Sequence, residues 1–433
     1  MLAVLCIAVV MCVCLITAIL VKPNINVGRI SLGTYWMVAL IGATILVLCR
    51  GISLPEIGSG LIASSAINPL KILILFLSMT VQSIFLDEIG MFRYCANVAL
   101  KKAKGSQKSL FFALFAVVSV LTVFTSNDII ILTFTPFICY FSKNAKINPI
   151  PYLFTEFVAA NTWSMSLIIG NPTNVYLASA NGIDFISYVK VMWFPTLCGG
   201  AVALLVLYLL FHKSFKKPLE VEEDEFTIKD TGLLTIGLIH LITCTILLVI
   251  SSYIGLEMWL ITMCFAISLF VCVSIYQFIH KKDLKVLAVS IERMPWELIP
   301  FVISMFVFVL AFDKVGISSR IGVLEGNRHV ILQYGISSFF AANLVNNIPM
   351  SVLFSSVVKS LTDVNLLKGV FAAIVGSNVG AFFTPIGALA GIMWSGILKK
   401  HDVKFSFLTY IHYGIILSVP TLLATLLGLS VVL

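Results

Sequence analysis

The chain has 433 residues, of which 60% are hydrophobic and only 11% charged, and its net charge is +8. Soluble domains have about 25% charged residues, so this composition, with a mean hydropathy of +1.06, excludes a soluble globular protein and indicates an all-α polytopic membrane protein. The basic residues lie in short loops between apolar runs. Such residues orient a chain in the bilayer, so the positive charge does not indicate binding to nucleic acid.

Apolar runs predict about ten transmembrane helices, because a spanning helix needs roughly 20 apolar residues. In chain order they lie near residues 1–21, 30–49, 71–92, 152–181, 184–211, 231–251, 256–279, 297–317, 366–398 and 407–432. The first run has neither a basic segment before it nor a small-residue cleavage site after it. We therefore interpret it as a retained helix and not as a signal peptide.

Two further segments, 109–142 and 329–362, have a different pattern. Each consists of two half-length apolar arms that flank a polar tip. The first tip is Ser126, Asn127 and Asp128, and the second contains Asn346 and Asn347. This pattern predicts two re-entrant hairpins.

Two of the predicted spans are interrupted by helix-breaking residues. The sequence GNPTN, residues 170–174, divides the span 152–181, and glycines from Gly376 to Gly387 divide the span 366–398. Backbone amides freed by such breaks cost several kcal/mol each if they face lipid. The breaks must therefore contact protein or a hydrated site within the membrane.

The loops 22–29, 93–109, 143–151, 212–230, 280–296 and 399–406 contain most of the 28 Lys and Arg residues, which places them on the cytoplasmic side. Both termini are then external. The loop 212–230 is the longest polar connection, and we interpret it as a cytoplasmic linker between two halves.

The halves share an internal repeat. Met79 precedes Asp87 by eight residues, as Met305 precedes Asp313. In each half a polar tip follows, and then a broken helix in which an Asn precedes a Gly by nine residues: Asn161 and Gly170, then Asn378 and Gly387. Each half has an odd number of crossings, so residues 1–211 and 231–433 are predicted to be inverted repeats. Inverted repeats with broken helices are typical of secondary transporters that bind substrate near the bilayer midplane.

Five segments together resemble the arsenical pump membrane protein family of the ion transporter superfamily. They are SNDIIILTFTP (126–136), IIGNPTN (168–174), MPWELIPFVISMFVFVLAFDKVGI (294–317), NNIP (346–349) and GSNVGAFFTPIGALAGIMW (376–394). The resemblance extends over nearly the whole chain. It implies ten helices plus two hairpins, and an elevator-type movement of the hairpin-bearing domain against a scaffold.

The polar residues of the tips and breaks are the candidate substrate- and ion-binding residues. They are Ser126, Asn127, Asp128, Asn171, Thr173, Asn174, Asn346, Asn347, Ser377, Asn378 and Thr384. The set contains amides, hydroxyls and one carboxylate, but no Lys or Arg. A di- or trianion would meet Asp128 without a compensating cationic side chain, whereas an uncharged polyhydroxyl solute or a sodium ion would fit.

Ionisable groups at membrane depth are functional candidates, so Asp128 is the predicted coupling residue and Glu156 the second candidate. Asp87, Glu88 and Asp313 lie at helix ends and are expected to make structural contacts. The leading hypothesis is a transporter of the cytoplasmic membrane that exports arsenite or antimonite in exchange for protons. Na+/H+ antiport, Na+-coupled uptake of di- or tricarboxylates or other anions, and an ion channel remain alternatives.

Motifs for other classes of protein are missing from the sequence. It contains no HExxH, GxGD or GxSxG motif and no GxxxxGK[ST], so we expect neither an enzyme nor an ATP-binding subunit, and no cofactor. The ten cysteines have no metal-site spacing, although sodium could bind at the tips. The expected partners are a small inorganic or organic solute, H+ or Na+, and lipid. A homodimer and a separate ATPase stay open.

Overall fold

The computed structural model describes residues 1–22, 24–27, 30–62, 68–103, 105–216, 227–403 and 405–433. These residues form twenty α-helices and one small β-hairpin. The fold class predicted from composition, an all-α polytopic membrane protein, is confirmed. Most of the predicted linker 212–230 lies outside the described residues, since 217–226 are not among them.

The elements of the first half occupy the following positions. They are α1 (Leu2–Val21), β1 (Asn24–Val27), β2 (Ile30–Gly33), α2 (Thr34–Leu48), α3 (Leu54–Ile62), α4 (Pro69–Glu88), α5 (Met91–Lys102), α6 (Gln107–Phe124), α7 (Asn127–Asn144), α8 (Ile150–Trp163), α9 (Pro172–Ala180) and α10 (Phe185–Phe211).

The second half contains helices only. They are α11 (Thr231–Ile254), α12 (Met258–Ile279), α13 (Lys285–Glu292), α14 (Leu298–Lys314), α15 (Ile317–Glu325), α16 (Val330–Val345), α17 (Asn347–Val357), α18 (Asp363–Gly380), α19 (Leu389–Lys400) and α20 (Phe407–Val432).

Seven of the described helices, α1, α4, α6, α10, α11, α12 and α20, are long and apolar enough to cross a membrane. An eighth span arises if α14 and α15, which meet at an angle of 78°, count as one. Helix α6 has 18 residues, so the first arm of the segment 109–142 is longer than the predicted half-length. The total of ten crossings remains a prediction.

The second predicted span begins later than expected. Residues 30–33 form a strand that pairs antiparallel with residues 24–27, with Asn24 opposite Gly33. The helix begins only at Thr34, because the backbone N–H of Gly33 is bound by the carboxylate of Glu297 at 2.7 Å. This distant acceptor could not be identified from the local sequence.

Four regions predicted as loops contain short helices, α3, α5, α13 and α15. They have 8 to 12 residues each, too few to register as spans. Gly90 precedes α5 and Gly316 precedes α15, both with positive φ, of 89° and 73°. These glycines permit the sharp change of direction after α4 and α14, because a left-handed backbone conformation is costly for other residues.

The order of helices is the same in both halves, so that α1 to α10 correspond in position to α11 to α20. The helices of one half pack against the other half at corresponding places: α4 packs against α12, and α14 packs against α2. This reciprocal packing extends the repeat beyond the motifs visible in the sequence. The assignment of residues 1–211 and 231–433 as inverted repeats stays a prediction.

The starts of α4 and α14 are held by the opposite half. Lys71, near the start of α4, pairs with Glu257 before α12 at 2.5 Å. The carboxylate of Glu257 also accepts a hydrogen bond from Trp259 Nε1 at 2.7 Å. At the start of α14, Glu297 accepts the hydrogen bond from Gly33. Each half therefore fixes where the corresponding helix of the other half begins.

The ends of α4 and α14 are held in the same manner. Arg293, which follows α13, pairs with Asp87 Oδ2 at 2.6 Å and with Glu88 at the end of α4. Lys314, at the end of α14, pairs with Glu56 of α3 at 2.8 Å. The two halves are thus connected near the short helices α3 and α13. Arg293 after α13 supplies the cation of one ion pair, and Glu56 of α3 supplies the anion of the other.

Hydrogen bonds from Lys314 and Ser53 lower the pKa of Glu56 to about 2. A carboxyl group in an unfolded chain has a pKa of roughly 4.3. The folded value is the lower one, so any stability that the pair contributes is present at neutral pH and is lost only as the pH falls through this interval.

We expect Arg293→Gln to destabilise the protein more than Glu56→Gln does. Loss of Arg293 leaves Asp87 and Glu88 without a cation, and such an unpaired buried group costs about 1–3 kcal/mol. The pair of Glu56 with Lys314 is exposed, and exposed pairs contribute little. Thermal unfolding of the purified variants in detergent measures the difference. Adding Asp87→Asn and Glu88→Gln to Arg293→Gln should restore part of the loss, and equal melting temperatures for the two single variants would contradict this interpretation.

Candidate functional site

The first break separates α8 from α9, and local sequence explains how α9 restarts. Asn171 has an extended backbone and its side chain accepts a hydrogen bond from the N–H of Thr173 at 3.1 Å. Pro172 follows as the first helical residue. An Asn cap followed by Pro is a common helix start, so the sequence GNPTN begins α9, whereas α8 already ends at Trp163.

Glycines at matching positions of the two breaks allow close backbone contacts. A Cβ on Gly170 would lie 2.3 Å from the carbonyl oxygen of Ser164. A Cβ on Gly387 would lie 2.4 Å from the carbonyl oxygen of Gly380. Both distances are too short for any side chain, which gives the repeated glycine a physical reason in each half.

Asn378 connects the two breaks. It lies near the end of α18, and its Oδ1 accepts hydrogen bonds from Ser164 Oγ at 3.0 Å and from Asn171 Nδ2 at 2.9 Å. Its Nδ2 donates to Asn174 Oδ1 at 2.7 Å and to the carbonyl of Ile374 at 2.8 Å. All of the side-chain hydrogen-bonding groups of this fully buried amide are therefore used, and they join the second half to the first break.

The side chain of Asn174 has a similar structural role. Its Nδ2 donates to the backbone carbonyls of Ser164 at 2.8 Å and Leu167 at 3.2 Å, and its Oδ1 is taken by Asn378. Thr173 Oγ1 lies 3.1 Å from Asn171 Oδ1. The predicted residues Asn171, Thr173, Asn174 and Asn378 thus form one buried network around the first break.

The first tip is joined to this network through Asn161. Asn127 Nδ2 donates to Asn161 Oδ1 at 3.0 Å, and the backbone carbonyl of Asn161 accepts from Ser164 Oγ at 2.9 Å. Asp128 is partly exposed and makes no hydrogen bond or ion pair within the described part of the chain. Its carboxylate does not bind an N–H of α7, so it does not act as a helix cap.

The second tip contacts backbone carbonyls of the second break. Asn347 N donates to the carbonyl of Gly387 at 3.1 Å, and Asn346 Nδ2 donates to the carbonyl of Ile386 at 3.1 Å. Asn346 has a φ of 77° and precedes α17, just as Ser126 precedes α7.

This correspondence matches Asn127 with Asn347. Each is the first residue of its helix, α7 or α17. Asp128 then corresponds to Ile348. A carboxylate is therefore present at one tip only.

Three residues that the sequence did not single out as site members complete these contacts. Asn161 and Ser164 belong to the network described above. Asn343 Oδ1 accepts from Thr384 Oγ1 at 2.5 Å, and its Nδ2 donates to the carbonyl of Gly380 at 3.0 Å. An amide within the apolar helix α16, four residues before Asn347, was the available signal for Asn343.

Four buried polar atoms at the tips and breaks have no hydrogen-bond partner among the described residues. They are Ser126 Oγ, Asn127 Oδ1, Asn347 Oδ1 and Ser377 Oγ. Buried polar groups are normally paired, so these four oxygens are the atoms of the candidate set that remain available to a polar solute or a cation. No described Lys or Arg forms an ion pair with a residue of the set.

Glu156 lies apart from the tips. Its fully buried carboxylate accepts hydrogen bonds from Thr135 Oγ1 at 3.1 and 3.2 Å. Trp394 of α19 approaches it, and the Trp394 ring lies 5.2 Å from that of Phe157. Glu156 therefore belongs to an aromatic cluster between α7, α8 and α19, and not to the network around Asn378.

We expect Asn347→Ala and Asn378→Ala to separate binding from stability. Asn347 Oδ1 is unpaired, so its removal should weaken solute binding with little change in melting temperature. Removal of the Asn378 amide leaves several buried partners unpaired, at about 1–3 kcal/mol each. Melting temperatures with and without solute measure both effects. An Asn347→Ala variant that loses as much stability as Asn378→Ala would contradict a binding role.

Known membrane proteins resemble this chain over most of its length. The arsenical pump membrane protein of Escherichia coli (strain K12) is 25% identical over 373 residues, which cover 82% of this chain and 85% of that protein. A Bacillus subtilis (strain 168) protein whose name also contains the words "arsenical pump membrane protein" is 25% identical over 421 residues, 90% of this chain and 92% of that protein. The resemblance predicted from the motifs is confirmed.

A solved structure shows the shared fold, and a family model shows the family. The crystal structure of the Alcanivorax borkumensis YdaH transporter superposes with a TM-score of 0.55 over 99% of this chain and 96% of its own, at 14% identity, which shows a shared fold. The model of the CitMHS family, described as "Citrate transporter", matches residues 33–368. Because this match covers more than half of the chain, the chain belongs to the citrate transporter family CitMHS and is a membrane transporter, not an enzyme.

Proposed function

We propose that the protein is a secondary active transporter of the cytoplasmic membrane that exports arsenite or antimonite in exchange for protons. The observation that carries the proposal is the site itself: buried amides and hydroxyls, four of them unpaired, with one carboxylate and no paired cation. At neutral pH arsenite is mainly uncharged arsenious acid, whose hydroxyls can both donate and accept hydrogen bonds. The names of the relatives support the same solute class.

Electrostatics disfavours citrate despite the description of the family. A trianion would lie near Asp128, and like charges in a medium of low dielectric repel strongly. None of the described Lys or Arg residues pairs with the site to compensate. Na+-coupled carboxylate transport is the second candidate, supported by the family model, since bound sodium would supply the missing charge.

Asp128 is the proposed coupling residue. It is the only carboxylate of the two tips, it is partly exposed, and it has no partner in the described residues. It can therefore take up and release a proton as the site opens to one side and then the other. Glu156 is the second candidate, because a buried carboxylate without a cation is costly to keep charged.

The proposed movement is of the elevator type. The tips and breaks are hydrogen-bonded to one another through Asn127, Asn161, Asn378 and Asn347, which favours their moving together. Ion pairs join the ends of α4 and α14 to the opposite half. We therefore assign these two helices to the static scaffold. Alternating access of this kind distinguishes the proposal from a channel, since only a carrier supports counterflow of labelled substrate.

We expect wild-type protein in everted vesicles to accumulate arsenite when respiration supplies a proton gradient. Exchange of one proton for an uncharged solute at a driving force of about 100 mV allows roughly 50-fold accumulation. Asp128→Asn should abolish accumulation and leave expression and folding intact, because the amide cannot release a proton. Uptake of radiolabelled or mass-detected arsenite is the measurement.

Glu292→Gln is the control for loss of an acidic side chain, since Glu292 is exposed and has no ion pair in the described part of the chain. It should transport like the wild type. Accumulation at the wild-type rate by Asp128→Asn would remove Asp128 from the mechanism. Failure of well-expressed wild type to accumulate arsenite would favour the sodium-dependent alternatives, to be tested with sodium gradients and citrate.

A further inference from the structure

Asp87 and Asp313 occupy equivalent positions in the two halves but have different surroundings. Asp87, at the end of α4, is largely buried and is neutralised by Arg293 at 2.6 Å. Asp313, at the end of α14, is exposed and has no ion pair among the described residues. Lys314, its neighbour, is engaged by Glu56. Asp87 is therefore paired with a cation, and Asp313 is not.

The carboxylate of Asp313 contacts the helix that follows the second tip. Ser356 Oγ, on α17, donates to Asp313 Oδ2 at 2.8 Å. Ser356 is buried, as is the neighbouring Ser355. Helix α17 carries no charged residue between Asn347 and Val357, so hydroxyl groups continue inward from the exposed carboxylate.

Tyr176 extends this polar line to the first break. It lies on α9, which packs against α17, and its hydroxyl approaches Ser355 and Asp313. The residue is 2% exposed, and its Oη makes no hydrogen bond within the described chain. Tyr176 lies two residues beyond Asn174 on the same helix.

We propose that Asp313, Ser356 and Tyr176 line the route by which protons pass between the aqueous phase and the first break. This inference rests on the proton coupling proposed above. Asp313 lies at the exposed end of the route and attracts hydronium there, because a carboxylate raises the local concentration of cations. Each hydroxyl then donates its own proton onward as it accepts another, so no group on the route is consumed.

The route ends close to the coupling carboxylate. Asn174 at the first break is hydrogen-bonded to Ser164, and Ser164 is bonded to Asn161. Asn161 accepts from Asn127, which adjoins Asp128. Lys314, which follows Asp313 in the chain, is engaged by Glu56, and Arg320 of α15 forms no ion pair in the described residues. No charged side chain occurs on α9.

Asp313→Asn and Tyr176→Phe test the route in proteoliposomes that contain a pH-sensitive dye. An arsenite gradient drives proton flux in the opposite direction, and counterflow of labelled arsenite at equal pH measures the solute step alone. We expect both variants to lower arsenite-driven proton flux about tenfold and to leave counterflow unchanged. Asp87→Asn is the matched control: it should lower the melting temperature and leave the ratio of proton flux to counterflow at the wild-type value.

Three outcomes would overturn the inference. Wild-type proton flux in both variants would show that protons take another route. An equal fall in proton flux and counterflow would show that Asp313 and Tyr176 act in the conformational cycle. Absence of arsenite-driven proton flux in the wild type would overturn the proposed function, and this route with it, before any variant is compared.

Discussion

The structure depends on satisfying polar backbone groups where two helices are broken within an apolar protein. Amides and carbonyls left free at membrane depth cost several kcal/mol each. At the first break, Asn174 binds two backbone carbonyls and Asn171 caps α9. Asn378 from the other half then binds both residues. The unsatisfied backbone groups of the helix break are thus paired by side chains from both halves. The same contacts gather amides and hydroxyls around the break.

Contacts between the two halves also fix the ends of the surrounding helices. Helices α4 and α14 each begin and end against residues of the opposite half, through Glu257 and Arg293 in one case and Gly33 and Glu56 in the other. Neither half can therefore define its own site alone. Each tip is hydrogen-bonded to the broken helix of its own half, Asn127 to Asn161 and Asn347 to Gly387.

Matching geometry does not imply matching chemistry. Asn127 and Asn347 are equivalent and both have an unpaired amide oxygen, but the next residue is Asp128 in one half and Ile348 in the other. The carboxylates Asp87 and Asp313 differ in the same sense, since only the first has a cation. The two halves therefore place different charges at equivalent positions of the same fold.

The sequence by itself determined the class of protein, because apolar runs of spanning length have few alternative structures. It also determined the two breaks and the repeat, since Gly, Pro and Asn act on the local backbone. The sequence does not show which polar side chains hydrogen-bond to other residues and which stay unpaired, because that depends on contacts made in the folded chain. Asn174 and Asn347 are alike in sequence, yet the first binds three groups and the second keeps a free oxygen. The start of α2 and the end of α4 also depended on long-range contacts, those of Glu297 and Arg293, which connect residues more than 200 positions apart.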